Sequence, residues 1–274
     1  MSSGRSRTKP GETSSDEPIL FTPERRQQIM SLLEVEQRVT VPELSQQFAV
    51  SEVTIRKDLA WLEAQGLVRR THGGAILSTP GASPGEMSID VREQLQHAEK
   101  ERIGEAAARY VQDGETIALD ASTTALAMVP FLATKHDLTV ATNGMRTAME
   151  LGHLPSLSVL LLGGMLRRET HSLVGKWGSP ILTQINISKA FVGARGLTLH
   201  KGLTDVNAEE VELKRAIVEG AKEVIAVLDS TKWDLVTLTT FCPLERLKLI
   251  ITDTQAPAHM VKLVRKLGVE VELV

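Results

Sequence analysis

The sequence predicts an α/β protein in which a small helical domain precedes a larger domain built on a mainly parallel sheet. Apolar residues recur at helical spacing over residues 22–65. After Asp113, short continuous apolar segments alternate with helical ones, which is typical of parallel strands covered by helices on both faces. Hydrophobic residues form 42% of the 274 residues, enough to bury a sizeable core.

Composition argues against several classes of protein. The formal net charge of -3 excludes a uniformly basic nucleic-acid binder, so any contact with DNA has to use a local patch. The single cysteine, Cys242, permits no intramolecular disulfide, and no segment approaches the roughly 18 apolar residues of a membrane span. We therefore expect a cytoplasmic protein without a membrane partner. The sequence has no metal-ligand spacing, no P-loop and no dinucleotide motif, so we expect neither a metal nor a cofactor.

The N-terminal domain is predicted to contain three helices and a hairpin. The helices are expected at 22–36, 42–48 and 51–65, with a turn at 37–40. Thr22 with Pro23 is a helix start signal, and Ser51 is expected to cap the third helix. A short apolar-basic strand then leads into a turn at Gly73-Gly74, and this order of elements is that of a winged helix-turn-helix domain.

The strands and helices of the C-terminal domain are predicted from the spacing of apolar residues after Asp113. Strands are predicted at 116–120, 138–142, 157–162, 190–193, 224–229, 249–252 and 269–273. Helices are predicted at 87–110, 123–132, 145–151, 208–221 and 258–267. The predicted organisation is therefore a disordered tail at 1–20, the winged helix-turn-helix domain at 21–77, a linker and connecting helix at 78–98, and the α/β domain at 99–274.

Cations are concentrated on the third helix and the hairpin, which indicates a surface for DNA. Residues at the start of such a helix reach base edges in the major groove, and the wing contacts the backbone or the minor groove. The candidate DNA-binding residues are Ser51, Thr54, Ile55, Arg56, Lys57, Arg69, Arg70 and His72. Arg56 can donate two hydrogen bonds to guanine. The alternative is a plain solvated helix face, since residues 21–77 contain seven Lys and Arg against seven Asp and Glu.

Polar and glycine residues follow several of the predicted parallel strands. Because the carboxyl ends of parallel strands share one edge of a sheet, we expect these residues to converge there. They are Asp120, Ser122, Thr123, Thr124, Asn143, Gly163, Gly164, Arg167, Asp229 and Lys232. Hydroxyl groups and backbone amides at a helix start suit an anion, so the set indicates a phosphate-bearing polar ligand. Each residue could instead belong to an ordinary cap or turn, and Glu210 and Lys214 are expected to form a surface ion pair.

The stretch from Ser51 to Ala75, SEVTIRKDLAWLEAQGLVRRTHGGA, resembles the signature of the DeoR family of bacterial transcriptional regulators. Lys57 stands where the family usually has arginine, which keeps the charge and loses the bidentate geometry. The resemblance implies a sequence-specific regulator, most often a repressor, that binds a double-stranded DNA operator. Because two recognition units are needed for a palindromic or repeated operator, a homo-oligomer (dimer or tetramer) is expected.

The C-terminal half is similar to the sensor domain of the same family, whose fold resembles sugar-phosphate isomerases. This resemblance implies a phosphorylated sugar as effector, with its phosphate at Ser122–Thr124 and with Asn143, Arg167, Lys214 and Lys232 nearby. By the same resemblance, Glu210 is a further candidate for binding the effector. The alternative function is an aldose–ketose sugar-phosphate isomerase in which Glu210 acts as a base. The DNA-binding unit favours a domain that senses its ligand over one that turns it over.

Overall fold

The computed structural model describes residues 22–36, 38–64, 68–77 and 88–274. The chain forms two compact units, which divide between Ser78 and Thr79. The predicted disordered tail at 1–20 lies outside the described residues, as does the first part of the predicted linker, 78–87.

The N-terminal unit has the three predicted helices. Its elements in chain order are α1 (Thr22–Glu36), β1 (Arg38–Thr40), α2 (Val41–Gln47), α3 (Glu52–Ala64), β2 (Val68–Thr71) and β3 (Gly74–Leu77). The helices begin at residues suited to capping. Thr40 and Glu43 form a capping box at the start of α2. Ser51 Oγ accepts a hydrogen bond of 3.2 Å from Thr54 N, which confirms Ser51 as the cap of α3.

The wing has three strands instead of two, in the order β1-β3-β2. The prediction of a turn at 37–40 is wrong for β1, which pairs antiparallel with β3. A strand of three residues is too short to show an alternating pattern. Gly74 permits this pairing, because a Cβ there would lie 1.9 Å from Val39 O.

The C-terminal unit is organised around a seven-stranded sheet. Its first elements are α4 (Ile89–Gln94), α5 (His97–Ala108), β4 (Thr116–Leu119), α6 (Thr123–Leu126), β5 (Leu138–Thr142), α7 (Met145–Leu151), β6 (Leu157–Leu161), β7 (Met165–Arg167), β8 (Ser172–Val174) and α8 (Ser179–Leu182). They are followed by β9 (Ile187–Val192), β10 (Gly196–Thr198), β11 (Gly202–Asp205), α9 (Ala208–Gly220), β12 (Ala221–Val227), β13 (Thr239–Cys242), β14 (Leu249–Thr252), α10 (Ala258–Lys266) and β15 (Glu270–Leu273).

The sheet has the order β15-β14-β12-β9-β4-β5-β6, and all its neighbouring strands are parallel. One group of buried residues includes Ile103, Ile117 and Leu132. A second includes Val211, Ile217 and Val264. Because both groups draw on the strands, helices cover the sheet on two sides. The predicted mainly parallel architecture is confirmed.

Two predicted helices are interrupted. The helix predicted at 87–110 is divided into α4 and α5 by Gln96, which has a left-handed φ of 50°. Lys100 makes this break possible, since its ammonium donates to the carbonyl groups of Arg92 and Leu95 at the end of α4. The helix predicted at 123–132 is α6 followed by a 3-10 helix, in which Pro130 cannot donate the backbone bond of an α-helix.

Two small antiparallel groups of strands are absent from the prediction. They are the hairpin β7-β8 and the sheet β10-β11-β13. Gly202 has a φ of 64°, and a Cβ there would lie 2.2 Å from Cys242 O, so glycine allows the turn before β11 to approach β13. Cys242 is itself buried, and burial raises the pKa of its thiol to about 12. Among the described helices, none is long and apolar enough to cross a membrane.

Candidate functional site

The exposed face of α3 carries most of the predicted DNA-binding residues. Ser51, Arg56 and Lys57 are exposed, and Thr54 is half-buried. The prediction for Ile55 is wrong, because its side chain is 0% exposed and belongs to the core of the unit. The residue falls on the inward face of α3, so it positions the helix and is not available to a partner.

Arg56 and Arg70 are both engaged in contacts within the unit. Arg56 Nη2 lies 2.8 Å from Glu52 Oε2 in an exposed ion pair one turn apart on α3. Arg70 N donates to Glu63 Oε1 at 3.1 Å, and Arg70 Nη1 donates to Arg56 O at 3.3 Å. Arg70 therefore fastens β2 to α3. On the wing, Arg69 and His72 remain exposed.

Asp58 holds α3 against α1 and was not among the predicted residues. It is buried and pairs with Arg25 at 2.6 Å and with Arg26 at 2.8 Å. The guanidinium of Arg26 also lies 4.3 Å from the centre of the Trp61 ring. The sequence did contain a signal, since Asp58 falls on the same helical face as Ile55 and Leu62 and a carboxylate there requires a partner.

Residues that follow five parallel strands, four of them polar, meet at the carboxyl edge of the large sheet. They follow β4, β5, β9, β12 and β14 and are Asp120, Asn143, Gly193, Asp229 and Asp253. The four with polar side chains are all buried. This convergence is expected for parallel strands and provides the place where open α/β sheets bind ligands.

Asp120 fixes two of these strand ends. Its Oδ1 accepts a hydrogen bond from Ser122 N at 3.1 Å, and its Oδ2 accepts one from Gly193 N at 3.0 Å. The same Oδ2 lies 3.0 Å from Lys214 Nζ. Asp120 therefore holds the ends of β4 and β9 together and is already satisfied by partners within the protein.

The prediction of a surface ion pair between Glu210 and Lys214 is wrong. Both side chains project inward from α9 and are buried, with residue exposures of 4% and 2%. Lys214 Nζ lies 2.6 Å from Asp205 Oδ2 and donates to Gly193 O at 2.9 Å. Glu210 Oε2 accepts from Arg167 Nη1 at 2.7 Å. We call Asp120, Asp205, Glu210 and Lys214, together with the partly buried Arg167, the buried ionic cluster.

The charges of the cluster influence one another strongly. Burial acts to lower the pKa of Lys214, but Asp120, Asp205 and Glu210 raise it above its usual value. Burial raises the pKa of Glu210, and the nearby Lys214 and Arg167 offset this only in part. Asp205, although buried, has its pKa held below the usual value, chiefly by Lys214. Asp205 was not predicted from the sequence, because it ends β11, a strand of four residues with no recognisable apolar alternation.

The predicted anion-binding residues lie beside this cluster. Ser122 Oγ accepts from Ala125 N at 3.1 Å and so caps α6, which has only four residues. Thr123 and Thr124 are buried. Lys232 Nζ is 3.8 Å from Asp229 Oδ2. Burial would raise the pKa of Asp229, yet Lys232, hydrogen bonds from Thr231 and the charge of Lys100 hold it below its usual value.

Two buried polar atoms in this region have no hydrogen-bond partner in the described part of the chain. They are Asn143 Oδ1 and Asp229 Oδ2. The amide of Asn143 is oriented by its donation to Leu173 O at 3.2 Å. Buried polar atoms are nearly always paired, so these two indicate a position for a bound polar group or for water.

Gly163 and Gly164 have different surroundings. At Gly164 a Cβ would lie 2.4 Å from Val174 O, so close packing against β8 explains the glycine. At Gly163 a Cβ would meet nothing within 4 Å. The expectation that both belong to a ligand site stays a prediction.

Lys100 is linked to the candidate site in two ways. Its charge helps to lower the pKa of Asp229, and it lines a cavity together with Thr123. Lys100 stands in the charged stretch Glu99–Arg102, yet it is buried on the inner side of α5. A cavity of about 520 Å³ has Lys100 and Thr123 in its wall. Its lining also includes Glu93, His97, Glu101, Phe131, Glu150 and His153. The described residues contain no group of His, Cys, Asp and Glu side chains that could hold a metal ion.

Comparisons with known proteins cover both units. Residues 25–80 match the family model of the DeoR-like helix-turn-helix domain, and residues 95–254 match that of the DeoR C terminal sensor domain. The chain is 36% identical to the HTH-type transcriptional regulator GolR of Listeria innocua over 93% of this chain and 99% of that protein. It is 34% identical to the putative aga operon transcriptional repressor of Escherichia coli O157:H7, over 96% and 98% of the two chains.

A third relative and a solved structure complete these comparisons. The chain is 33% identical to the HTH-type transcriptional repressor GlcR of Bacillus subtilis, over 92% of this chain and 96% of the relative. A D-ribose-5-phosphate isomerase in complex with phospho-erythronic acid superposes with a TM-score of 0.39 at 14% identity, over 50% of this chain and 54% of the other. The relatives are named as regulators, so the isomerase alternative is not favoured. With both domain types matched in order along one chain, this protein belongs to the DeoR family of DNA-binding transcriptional regulators.

Proposed function

We propose that this protein is a repressor of carbohydrate-metabolism genes whose binding to DNA is controlled by a phosphorylated sugar. The operator is bound by α3 and the wing. The effector is bound at the carboxyl edge of the large sheet. The protein acts as a homo-oligomer, since two recognition units are needed to read a palindromic or repeated operator.

The observation that carries the effector site is a pair of buried polar atoms that accept no hydrogen bond within the described residues, at the same edge of the sheet as the buried ionic cluster. Asn143 Oδ1 and Asp229 Oδ2 can accept hydrogen bonds from sugar hydroxyl groups. Burying charged groups such as Lys214 and Asp205 is costly for a domain, and groups of this kind cluster at functional sites. A polar ligand with several hydroxyl groups fits these acceptors.

Cations and hydroxyl groups nearby supply what a phosphate requires. Lys232 is partly accessible, with a side-chain exposure of 20%. Lys100 and Thr123 line the adjacent cavity, whose volume of about 520 Å³ lies within the range of small-molecule sites. The remaining predicted contacts, Ser122, Thr124 and Arg167, are at the same edge of the sheet, next to strand ends fixed by Asp120.

The DNA surface is supported by the exposure of Ser51, Arg56, Lys57, Arg69 and His72 on one helix and the adjoining wing. Electrical balance of the N-terminal domain keeps the nonspecific phosphate contribution modest. A modest affinity can be switched by a coupling of about 1–3 kcal/mol between the two sites. The names of two relatives, which describe repressors and in one case an operon, support the direction of control.

The proposal is tested by measuring DNA affinity against a panel of sugar phosphates. Full-length protein is titrated into fluorescent duplex from upstream of its own gene, at fixed salt, with each compound in turn. We expect one compound to change the dissociation constant by about 5–150-fold. Lys232→Met should lose most of that response. Lys248→Met is the matched control, since it removes an equal charge from an exposed pair with Glu270.

Two outcomes contradict different parts of the proposal. If the protein shows no preference for the upstream duplex over unrelated DNA, the regulatory function is wrong. If it binds specifically but Lys232→Met responds to the compound as the unmodified protein does, the position of the effector site is wrong.

A further inference from the structure

An apolar side chain lies on the outward face of α3, in the first turn of the helix. Val53 is 62% exposed in the first turn of the helix. The buried stripe of α3 is formed by Ile55, Leu59 and Leu62. Val53, Lys57 and Ala60 each precede a member of that stripe by two residues, and two residues turn an α-helix by about 200°. These three residues therefore point directly away from the core, and all three are exposed.

Arg56 lies to one side of this outward face. Its guanidinium is held at 2.8 Å by Glu52 and its carbonyl oxygen accepts from Arg70. The side chain that enters a groove first, when the helix is laid into it, is thus Val53 with Lys57 beside it. The outward face of α3 is therefore apolar at Val53 and cationic at Lys57, one turn further along the helix.

The folding of the N-terminal unit gives no reason for valine at this position. A β-branched residue is less favourable than alanine on an exposed helical site, because its side chain loses rotamer freedom. Its apolar surface is mostly left in water by the unit itself. A partner that buries the side chain accounts for it, and the family of this protein makes that partner duplex DNA.

We propose that Val53 reads thymine, by packing against the 5-methyl group of a thymine in the major groove. The methyl group is the one apolar feature that base pairs present there, and it distinguishes thymine from the other bases. Lys57, one turn along, is placed to contact a phosphate or a purine acceptor at the next step. This inference rests on the proposed DNA-binding function of α3 and assigns part of its sequence preference.

The test is a double-mutant cycle, in which the methyl group is removed from the DNA and the Val53 side chain is truncated in the protein, separately and together. Preferred duplexes are selected from a randomised pool with the full-length protein. Each thymine of the selected site is then replaced singly by deoxyuridine, which differs only in lacking the methyl group. Dissociation constants are measured for the unmodified protein, for Val53→Ala and for Val236→Ala. Val236 is a matched control, since it is 59% exposed and lies in the C-terminal unit.

We expect deoxyuridine at one thymine of each half-site to weaken binding of the unmodified protein roughly three- to fivefold, the effect of burying one methyl group. Val53→Ala should bind the thymine duplex more weakly by a similar factor and be indifferent to deoxyuridine at that position. Val236→Ala should keep the full sensitivity. Because Val53 is exposed, the thermal unfolding midpoint of Val53→Ala should match that of the unmodified protein.

Two results overturn the inference. If no thymine position responds to deoxyuridine, or if Val53→Ala keeps the response, Val53 does not read thymine and DNA binding itself stands. If the protein selects no sequence at all, the proposed DNA-binding function fails and this inference fails with it.

Discussion

Lys214 Nζ lies 2.6 Å from Asp205 Oδ2, and both side chains are almost completely buried at the carboxyl edge of the large sheet. Lys214 comes from α9, whereas Asp205 ends β11, so the pair joins the large sheet's helical layer to the small antiparallel sheet. Asp120, after β4, lies 3.0 Å from the same ammonium group. One cation therefore neutralises two carboxylates from different elements.

Lys214→Met should destabilise the protein by about 3–5 kcal/mol, because Asp120 and Asp205 would be left buried without their counter-charge. The measurement is urea unfolding at neutral pH, followed by circular dichroism. Lys248→Met, at an exposed pair, is the control and should change stability little. Equal stabilities for the two variants would show that the cluster contributes nothing to the folded state.

Glu210 should give the stability a specific dependence on pH. Burial raises its folded-state pKa above the ordinary value of 4.5. The protonated carboxyl therefore favours folding, and this contribution is fully present below about pH 4.5 and is lost as pH rises through the folded-state pKa. Glu210→Gln lacks the titration, so its free energy of unfolding should gain on that of the unmodified protein over this window.

The control for this pH dependence is Glu212→Gln, an exposed position on the same helix. Its free energy of unfolding should follow that of the unmodified protein at every pH. A constant difference between Glu210→Gln and the unmodified protein from pH 4.5 to 8 would contradict the raised pKa of Glu210.

Gly193→Ala should weaken effector binding without changing any charge. An added Cβ would lie 2.4 Å from Ser122 Oγ, so Ser122 and the start of α6 have to move. We expect roughly tenfold weaker binding of the effector, since overpacking costs about 1–3 kcal/mol. Isothermal titration calorimetry with the sugar phosphate identified by the DNA assay measures it. Gly220→Ala is the control, because its Cβ would have an ordinary contact of 3.6 Å with Leu182 O.

Glu52→Gln should strengthen DNA binding. Its carboxylate holds Arg56 at 2.8 Å on the exposed face of α3, where it also repels phosphate groups. We expect a gain of a fewfold at about 0.1 M salt that shrinks as salt is raised. Glu105→Gln removes the same charge from an exposed site in the other unit and should leave affinity unchanged. If Glu52→Gln instead loses affinity only for duplexes that carry cytosine at one position, Glu52 accepts a hydrogen bond from that cytosine.

Local patterns predicted the fold well and the site only in part. The helices of the N-terminal unit and the parallel strands were predictable because capping residues and apolar periodicity act over a few residues. β1, β7 and β11 have only three or four residues, too few for a period to appear. Asp205 was missed with β11, because its role depends on a partner from another element.

The sequence also did not reveal which charged side chains point into the protein. Glu210 and Lys214 have the spacing of a surface pair, and only the packing of α9 against the sheet makes them buried. Lys100 likewise stands in a charged stretch that gives no sign of the break at Gln96, whose left-handed backbone brings the end of α4 to the lysine. Such residues are identified by what surrounds them in three dimensions.

Cys242 makes the native protein a convenient background for site-directed labelling. It is the only cysteine in the chain, it is buried on β13, and its thiolate form is strongly disfavoured. A maleimide reagent can modify it only when the small sheet opens, so the modification rate reports the frequency of that opening. A single cysteine introduced on the exposed face of α3 would react far sooner. A fluorophore could thus be placed there without removing the natural thiol.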